Sequence, residues 1–207
     1  GMAKETAHQI GTPLTSLMGW LELLKTSPNK DQYLDEVEKD LERLNIISER
    51  FNKIGSKPKL TKENICKEIE KTISYLRARL SNKISLEFEH PKDEIIVYLN
   101  NQLFSWSLEN IIKNSIDSIK DSGKVKISII EENEYLKIYI SDNGIGIKQS
   151  LKNKIFNPGV TTKERGWGLG LSLSKRIIEE YHKGEIKLIE SIVGQGTKML
   201  IKLKAVK

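Results

Sequence analysis

The first 55 residues carry narrow apolar stripes at helical spacing. Ile10 is followed by leucines at positions 14, 17, 21 and 24, a four-three alternation that predicts one coiled-coil-like helix. After the breaker Ser27-Pro28-Asn29, a similar stripe continues through Leu34, Val37, Leu41, Leu44 and Phe51. Two narrow seams cannot enclose a core, so we expect a helical hairpin. It either covers the following domain or forms half of a four-helix bundle that a second chain completes.

From Leu60 onward the pattern changes to alternating helices and strands. Amphipathic periodicity predicts helices at 61–80, 102–121 and 168–182. Period-two alternation predicts strands at 84–88, 94–99, 124–130, 135–141, 185–190 and 197–204. Helices interspersed with mainly hairpin-linked strands are typical of a two-layer α/β sandwich. The expected fold class is therefore α+β, with the helical hairpin in residues 1–58 and the sandwich in residues 59–207.

Charge is unevenly distributed along the 207 residues, whose net charge is +6. Residues 1–58 carry eight Lys or Arg and nine Asp or Glu, which leaves residues 59–207 at +7. The basic residues are interspersed with acids and are not clustered with aromatics, so we expect no nucleic-acid partner.

No segment of the sequence has the length and apolarity of a membrane span. The longest uncharged stretch, 6–21, has 16 residues and contains several polar side chains, so no membrane contact is expected within this chain. A single cysteine, Cys66, is compatible with a reducing compartment. We expect a cytoplasmic location, with any membrane anchor in another part of a longer parent protein.

Two asparagines lie on one face of the predicted helix 102–121. Asn110 and Asn114 are four residues apart, and their side chains therefore project from the same side, opposite the isoleucines. Amide oxygens are suitable ligands for a hard cation such as Mg²⁺. Two asparagines on a solvated helix face are also common without any function.

A second motif, Asp142-Asn143-Gly144-Ile145-Gly146, ends an alternating strand. A carboxylate there can accept the exocyclic amine of adenine, and glycines let the backbone approach the ring. On its own the motif is also compatible with an ordinary turn.

Further glycines precede the last predicted helix and the last strand. The run Gly166-Trp167-Gly168-Leu169-Gly170-Leu171 opens a helix, where exposed backbone N–H groups can hold phosphate. The segment 153–165, called the lid here, contains Phe156, Lys163 and Arg165 and can close over a triphosphate or be a plain surface loop. Gly194-Gln195-Gly196-Thr197 precedes the last strand. It is compatible with a plain hairpin turn, or the hydroxyl of Thr197 can complete the adenine contacts.

The ordered set of motifs resembles the N, G1, F and G2 boxes of histidine kinases, within the wider ATPase superfamily that includes gyrase. Ahead of them, the segment 7–15, Ala-His-Gln-Ile-Gly-Thr-Pro-Leu-Thr, resembles the phosphoacceptor box of that family. The resemblance covers nearly the whole chain. It implies ATP and Mg²⁺ as cofactors, a response regulator receiver domain as partner, and a homodimer.

The resemblance also implies residue roles. His8 would be the nucleophile, Asn114 would coordinate Mg²⁺ with Asn110 beside it, and Asp142 would bind adenine. The expected nucleotide-binding set is Asn110, Asn114, Asp142, Gly144, Gly146, Phe156, Lys163, Arg165, Gly166, Gly168, Gly170, Leu171 and Thr197.

Two positions depart from the family pattern. Asp117 stands where many members carry a lysine that reaches the phosphates, which transfers that role to the lid cations. Gln9 follows His8 where the family usually has Glu or Asp, and a neutral amide predicts slow autophosphorylation. Thr12 matches the position that helps orient water for removing phosphate from the regulator, so regulator phosphatase activity is also expected.

Three function classes fit the sequence. The first is an ATP-dependent protein histidine kinase that autophosphorylates on His8 and passes the phosphate to an aspartate of a response regulator. The second is a non-catalytic phosphotransfer or docking module with a decayed ATP fold, against which the intact glycines and asparagines argue. The third is an ATP-driven clamp like the gyrase relatives, which the segment from His8 to Pro13 disfavours.

Overall fold

The computed structural model of the chain describes residues 2–26, 33–38, 40, 41, 44, 58–163 and 168–206, with side chains described from Leu14 onward. The chain divides into two compact units, Gly1–Pro58 and Lys59–Lys207. Among the described residues, no helix combines the length and apolarity needed to cross a membrane.

The first unit contains helix α1, Met2–Thr26, and further helical residues at 33–38. The ring of Trp20 stacks on Tyr33 at 6.0 Å between centroids, and its indole N–H donates to Asp40 Oδ2 at 3.2 Å. Asp40 is buried. Because Trp20 contacts residues 13 and 20 positions later, the chain folds back along α1.

The described residues of the second unit, 59–163 and 168–206, form four helices, one π-helical turn and seven strands. The helices are α2 (Ile65–Arg77), α3 (Asn101–Asp117), α4 (Gln149–Lys152) and α5 (Gly170–Arg176), and α5 continues into the π-helical turn Ile177–Tyr181. The strands are β1 (Thr61–Asn64), β2 (Ile84–Glu89), β3 (Ile96–Leu99), β4 (Gly123–Glu132), β5 (Tyr135–Asp142), β6 (Glu185–Ile192) and β7 (Gly196–Lys204).

The strands form a five-stranded sheet in the order β2-β4-β5-β7-β6 and a two-stranded sheet of β1 and β3. All pairs are antiparallel except β2 with β4. Alternate residues of the central strands, such as Ile138 and Ile140, are fully buried and pack with Phe104 and Leu108 of α3 in one core. The predicted α+β fold with an α/β sandwich is confirmed.

The prediction of one helix over 61–80 is wrong at its start. Residues 61–64 form β1, which pairs antiparallel with β3, and the helix begins only at Ile65. The side chain of Asn64 accepts from the backbone N–H groups of Cys66 and Lys67 and so caps α2. The polar segment Thr-Lys-Glu-Asn gives no alternation signal of its own, so only the distant partner strand makes it a strand.

His182 connects the π-helical turn to the start of α3. Its Nε2 accepts the backbone N–H of Asn100, the N-cap of α3, at 3.0 Å, so Nδ1 carries the proton and donates to the carbonyl of Ile177 at 2.8 Å. Burial lowers the pKa of His182 below its ordinary value. The neutral ring is therefore part of the folded structure.

Candidate functional site

The carboxylate of Asp142, at the end of β5, is held by three hydrogen bonds to one oxygen. Oδ1 accepts from the backbone N–H of Gly144 at 3.0 Å, from the backbone N–H of Thr197 at 3.2 Å, and from Ser118 Oγ at 3.1 Å. Ser118 shares its single hydroxyl proton between this oxygen and the carbonyl of Ser115, which lies at 2.7 Å. Within the described part of the chain, no hydrogen bond reaches Oδ2. The three donors fix the orientation of the carboxylate and leave its second oxygen to accept a ligand hydrogen bond.

A second network surrounds the hydroxyl of Thr197. Ser191 Oγ accepts the backbone N–H of Ile147 at 2.8 Å and donates its single proton to the carbonyl of Gly196 at 3.1 Å. The hydroxyls of Ser191 and Thr197 are 2.9 Å apart, so Thr197 is the donor in that pair. Its lone pairs remain as acceptors beside Asp142.

Two glycines occupy positions that exclude a side chain. Gly146 has φ +67, and a Cβ there would lie 2.2 Å from the carbonyl oxygen of Ile192. Gly168 has φ +65, and its carbonyl accepts the N–H of Gly159 at 3.1 Å across the base of the lid. Only glycine adopts these conformations without strain, and each brings two loop backbones into contact.

Helix α3 presents Asn110, Asn114 and Ser118 at intervals of four residues, and therefore on one face. The Nδ2 of Asn110 is buried and has no acceptor among the described residues. A Cβ placed on Gly170, the first residue of α5, would lie 3.6 Å from Asn110 Cγ, so the backbone of α5 packs directly on this side chain. The buried Asn110 N–H group needs an acceptor, which a ligand oxygen would supply.

Helices α3 and α5 are joined below this face by two serines. Ser107 Oγ donates to the carbonyl of Ser174 at 3.4 Å, and Ser174 Oγ donates to the carbonyl of Ser107 at 3.3 Å. Both serines are fully buried. Their small side chains let the helices approach closely, which keeps Gly170 against Asn110.

Lys163, among the described residues of the lid, forms polar contacts with α3. The Nζ of Lys163 lies 2.9 Å from Asn114 Oδ1 and 2.6 Å from Asp117 Oδ2. Arg165 and Gly166, which the sequence places in the phosphate site, lie outside the described residues.

The two apolar members of the predicted set have a packing role in the structure. Phe156 and Leu171 are partly buried and pack against the main hydrophobic core. The Nζ of Lys175 lies 5.4 Å from the centroid of the Phe156 ring, within cation–π distance. Phe156 therefore anchors the start of the lid to the domain.

Comparison with known proteins identifies the family. The model of the histidine kinase-, DNA gyrase B- and HSP90-like ATPases matches residues 102–207, and that of the His Kinase A phospho-acceptor domain matches residues 1–56. The chain belongs to the sensor histidine kinases. This confirms the resemblance that the sequence motifs indicated.

Sporulation kinases A and D of Bacillus subtilis (strain 168) are among the most similar relatives of this histidine kinase. Kinase A is 33% identical over 205 residues, which cover 95% of this chain and 33% of the relative. Kinase D is 35% identical over 212 residues, covering 98% and 41%. The chain thus spans about a third to two fifths of their length. Among solved structures, the catalytic domain of the histidine kinase ThkA is 27% identical, with a TM-score of 0.64, covering 70% of this chain and 95% of ThkA's domain.

The side chains of the histidine kinase fit ATP and Mg²⁺. The side-chain amide oxygen of Asn114 and the carboxylate of Asp117 are hard oxygen ligands of the kind that Mg²⁺ prefers. Both oxygens already contact one cation, the ammonium of Lys163. Asn114 would hold Mg²⁺, which neutralises phosphate charge when bound. The buried N–H of Asn110 and the open oxygen of Asp142 provide a donor and an acceptor on the same side of the domain.

The segment that resembles the phosphoacceptor box, residues 7–15, lies in α1. The backbone of His8, Gln9 and Thr12 is helical, whereas their side chains are outside the described part of the structure.

Three features of the site were not predicted from the sequence: Ser118, Ser191 and the pairing of Asp117 with Lys163. Ser118 continues the four-residue spacing of Asn110 and Asn114, and this periodicity was a usable signal. Ser191 carries no comparable signal, because it reaches Thr197 only through the pairing of β6 with β7.

Proposed function

We propose that this chain transfers the γ-phosphoryl group of ATP to His8 and then to an aspartate of a response regulator receiver domain. The observation that carries the proposal is the fixed carboxylate of Asp142, whose Oδ1 is occupied by three donors while Oδ2 has no described partner. An oxygen oriented in this way can accept the exocyclic amine of adenine and discriminates against guanine, which presents a carbonyl oxygen at that position.

The neighbouring side chains are proposed to bind the other parts of the nucleotide. Thr197 offers an acceptor next to the base, Asn110 offers a buried N–H donor, and Asn114 offers a metal ligand. The lid cations Lys163 and Arg165 and the glycines at 166, 168 and 170 complete the proposed contacts to the phosphates. Gly144 and Gly146 keep the loop beside Asp142 narrow.

The reaction at His8 needs a neutral imidazole with its proton on Nδ1. The Nε2 lone pair attacks the γ-phosphorus, an N–P bond forms, and the bond to the bridging oxygen breaks as ADP leaves. The ring acquires positive charge, and Gln9 can accept the Nδ1–H hydrogen bond without supplying a negative charge. Solvent takes the Nδ1 proton.

A receiver domain and a second copy of this chain are the proposed partners. The relative ThkA has been crystallised in complex with response regulator protein TrrA, and the phospho-acceptor match covers residues 1–56. Helix α1 exposes three apolar side chains at four-three spacing, Leu14, Met18 and Leu21, with Met18 66% exposed. A second copy that presents the same stripe would bury them in a four-helix bundle.

We propose that the chain also removes phosphate from its regulator. Thr12, four residues after His8, lies one helical turn away in the same helix and would orient the attacking water. Thr12→Ala is expected to slow regulator dephosphorylation while His8 phosphorylation continues at its former rate. Equal rates of dephosphorylation in both proteins would remove Thr12 from that role.

The fate of phosphate separates the kinase from the two other function classes. The purified chain is incubated with Mg·ATP, and ADP, free phosphate and protein-bound phosphate are counted in one sample. The kinase retains about one phosphate on the protein for each ADP formed in the first turnover. A clamp ATPase releases ADP with an equal amount of free phosphate, and a docking module forms no ADP, so either result would reject the proposal.

A further inference from the structure

The lid lysine occupies the oxygen that the proposed function assigns to Mg²⁺. Lys163 Nζ contacts Asn114 Oδ1 at 2.9 Å and Asp117 Oδ2 at 2.6 Å. The two oxygens belong to residues three apart on α3, so one ammonium bridges successive turns of the helix. Both charged side chains are partly exposed, Lys163 by 39% and Asp117 by 51%.

One amide oxygen cannot serve the ammonium and the metal ion together. Mg²⁺ binds its oxygen ligands at about 2.1 Å and requires near-ideal octahedral geometry. An ammonium 2.9 Å from the same oxygen would then be a like charge within a few ångströms of the metal, and the two cations would repel each other. Occupation of Asn114 by Mg²⁺ therefore requires Lys163 to leave it.

We infer that Lys163 and Asp117 form a latch that holds the lid on α3 until the metal-nucleotide complex takes Asn114. The released Lys163 ammonium then becomes available to the phosphates, and Asp117 is the positioning residue of the closed latch. This inference rests on the proposed function for the role of Asn114. An aspartate at position 117 can form this ion pair with Lys163, whereas a phosphate-binding lysine at the same position could not.

The latch is weak because the side chains of Lys163 and Asp117 are both partly exposed to water. Ion pairs between partly exposed side chains contribute little in water, so the closed latch weakens Mg·ADP binding by at most about fivefold.

The latch restrains the part of the lid that lies next to Lys163 in the chain. The N–H of Lys163 donates to Thr161 Oγ1 at 3.1 Å, and the N–H of Gly159 donates to the carbonyl of Gly168. Amide protons of residues 159–163 therefore report whether the lid is held.

The test uses hydrogen exchange of the nucleotide-free chain and a double-mutant cycle. Asp117→Asn and Lys163→Gln are compared singly and together, with Asp121→Asn as the control because Asp121 is an exposed carboxylate in the loop after α3. Either single variant is expected to speed exchange in residues 159–163, and the double variant no further. Unchanged exchange in the single variants, or additive effects in the double variant, would overturn the latch.

Calorimetry with Mg·ADP supplies the second readout. Asp117→Asn is expected to bind Mg·ADP more tightly, by up to about fivefold, and to lose this gain when Lys163 is already Gln. If Asp117→Asn also raises the affinity for Mg·ADP in the Lys163→Gln variant, the increase comes from removing repulsion between Asp117 and the phosphates. This result would contradict the latch. Failure of the parent chain to bind Mg·ADP would reject the proposed function, whereas the nucleotide-free exchange cycle still decides the latch on its own.

Discussion

Ser118 shares its hydroxyl proton between the carbonyl of Ser115 at 2.7 Å and Oδ1 of Asp142 at 3.1 Å, and the second contact joins the end of α3 to the end of β5. Ser118 is the C-cap of the helix that carries Asn110 and Asn114. The side chain proposed to bind adenine and the side chains proposed to bind the phosphates are therefore positioned by one helix.

Ser118→Ala is expected to weaken the binding of adenine nucleotides by about twofold to tenfold, because Asp142 loses one of the three donors that orient it. The factor should be the same for ATP and ADP, with or without Mg²⁺, since the serine acts on the base-binding end. Isothermal titration calorimetry measures it. Ser85→Ala, an exposed serine on β2, should bind as the parent does. A loss seen only with Mg²⁺ would assign Ser118 to the phosphate end instead.

Asn114→Ala and Asp142→Asn are expected to have different metal dependences. The first removes the proposed metal ligand and should abolish the part of ATP affinity that depends on Mg²⁺, leaving the metal-free affinity nearly unchanged. The second keeps an acceptor at Oδ1 but replaces the charged oxygen, and should weaken ATP and ADP by about tenfold whether or not metal is present. Titrations with and without Mg²⁺ distinguish them, and unchanged affinity in either variant would remove that residue from the site.

His182 makes the stability of the second unit depend on pH. Burial lowers its pKa from the ordinary 6.5, so the folded protein binds this proton more weakly than the unfolded chain does. Its contribution to the free energy of unfolding is complete above pH 6.5 and is lost as the pH falls toward the lowered pKa. Urea unfolding between pH 8 and pH 5 measures the decline. His182→Asn should flatten the decline, whereas His90→Asn, at an exposed site, should retain it.

Met18→Glu is expected to convert the proposed dimer to a monomer. Met18 is the most exposed of the three apolar side chains on α1, and a carboxylate there would be desolvated against the same residue of the second copy. Sedimentation equilibrium at high micromolar concentration should show a shift from the dimeric to the monomeric mass. Lys25→Glu changes charge at an exposed site of the same helix and should remain dimeric. A monomeric parent chain at that concentration would contradict the dimer.

Gln9→Glu is expected to speed autophosphorylation by roughly tenfold to a hundredfold, because a carboxylate on Nδ1–H stabilises the positive ring that forms during attack. ATP affinity should change little, since the residue acts on the transition state. Gln9→Ala should be slower than the parent. Single-turnover rates measure all three proteins. Rates for Gln9→Glu at or below the parent would instead assign Gln9 to positioning water or the regulator.

The parts of the fold that could be predicted from sequence depend on local pattern. The alternation of residues 135–141 and the periodicity of α3 come from side chains that are neighbours in the chain and face one core. Segment 61–64 could not be predicted as a strand, because its pairing with β3 lies about 35 residues away and its own residues are polar. The predicted helix 168–182 is α5, which begins at Gly170, followed by a π-helical turn. Periodicity did not indicate this turn, in which the buried ring of His182 donates to the carbonyl of Ile177.

The candidate site divides in the same way. Asn114 and Asp142 stand in motifs whose chemistry is local, so the sequence identifies them directly. The contacts of Ser118 with Asp142 and of Ser191 with Thr197 form only when separate elements meet. The pairing of Lys163 with Asp117 joins the lid to α3 across 46 positions, and no spacing rule predicts it.

Transfer of phosphate from ATP to His8 is tested most directly by labelling with γ-³²P-ATP and Mg²⁺, followed by acid and alkali treatment. The parent chain should acquire label that acid removes and alkali spares, as expected of a phosphoramidate. Label should be absent from His8→Gln, although this variant should bind Mg·ADP as the parent does, and from Asn114→Ala. Label that persists in His8→Gln, or that resists acid, would contradict the account.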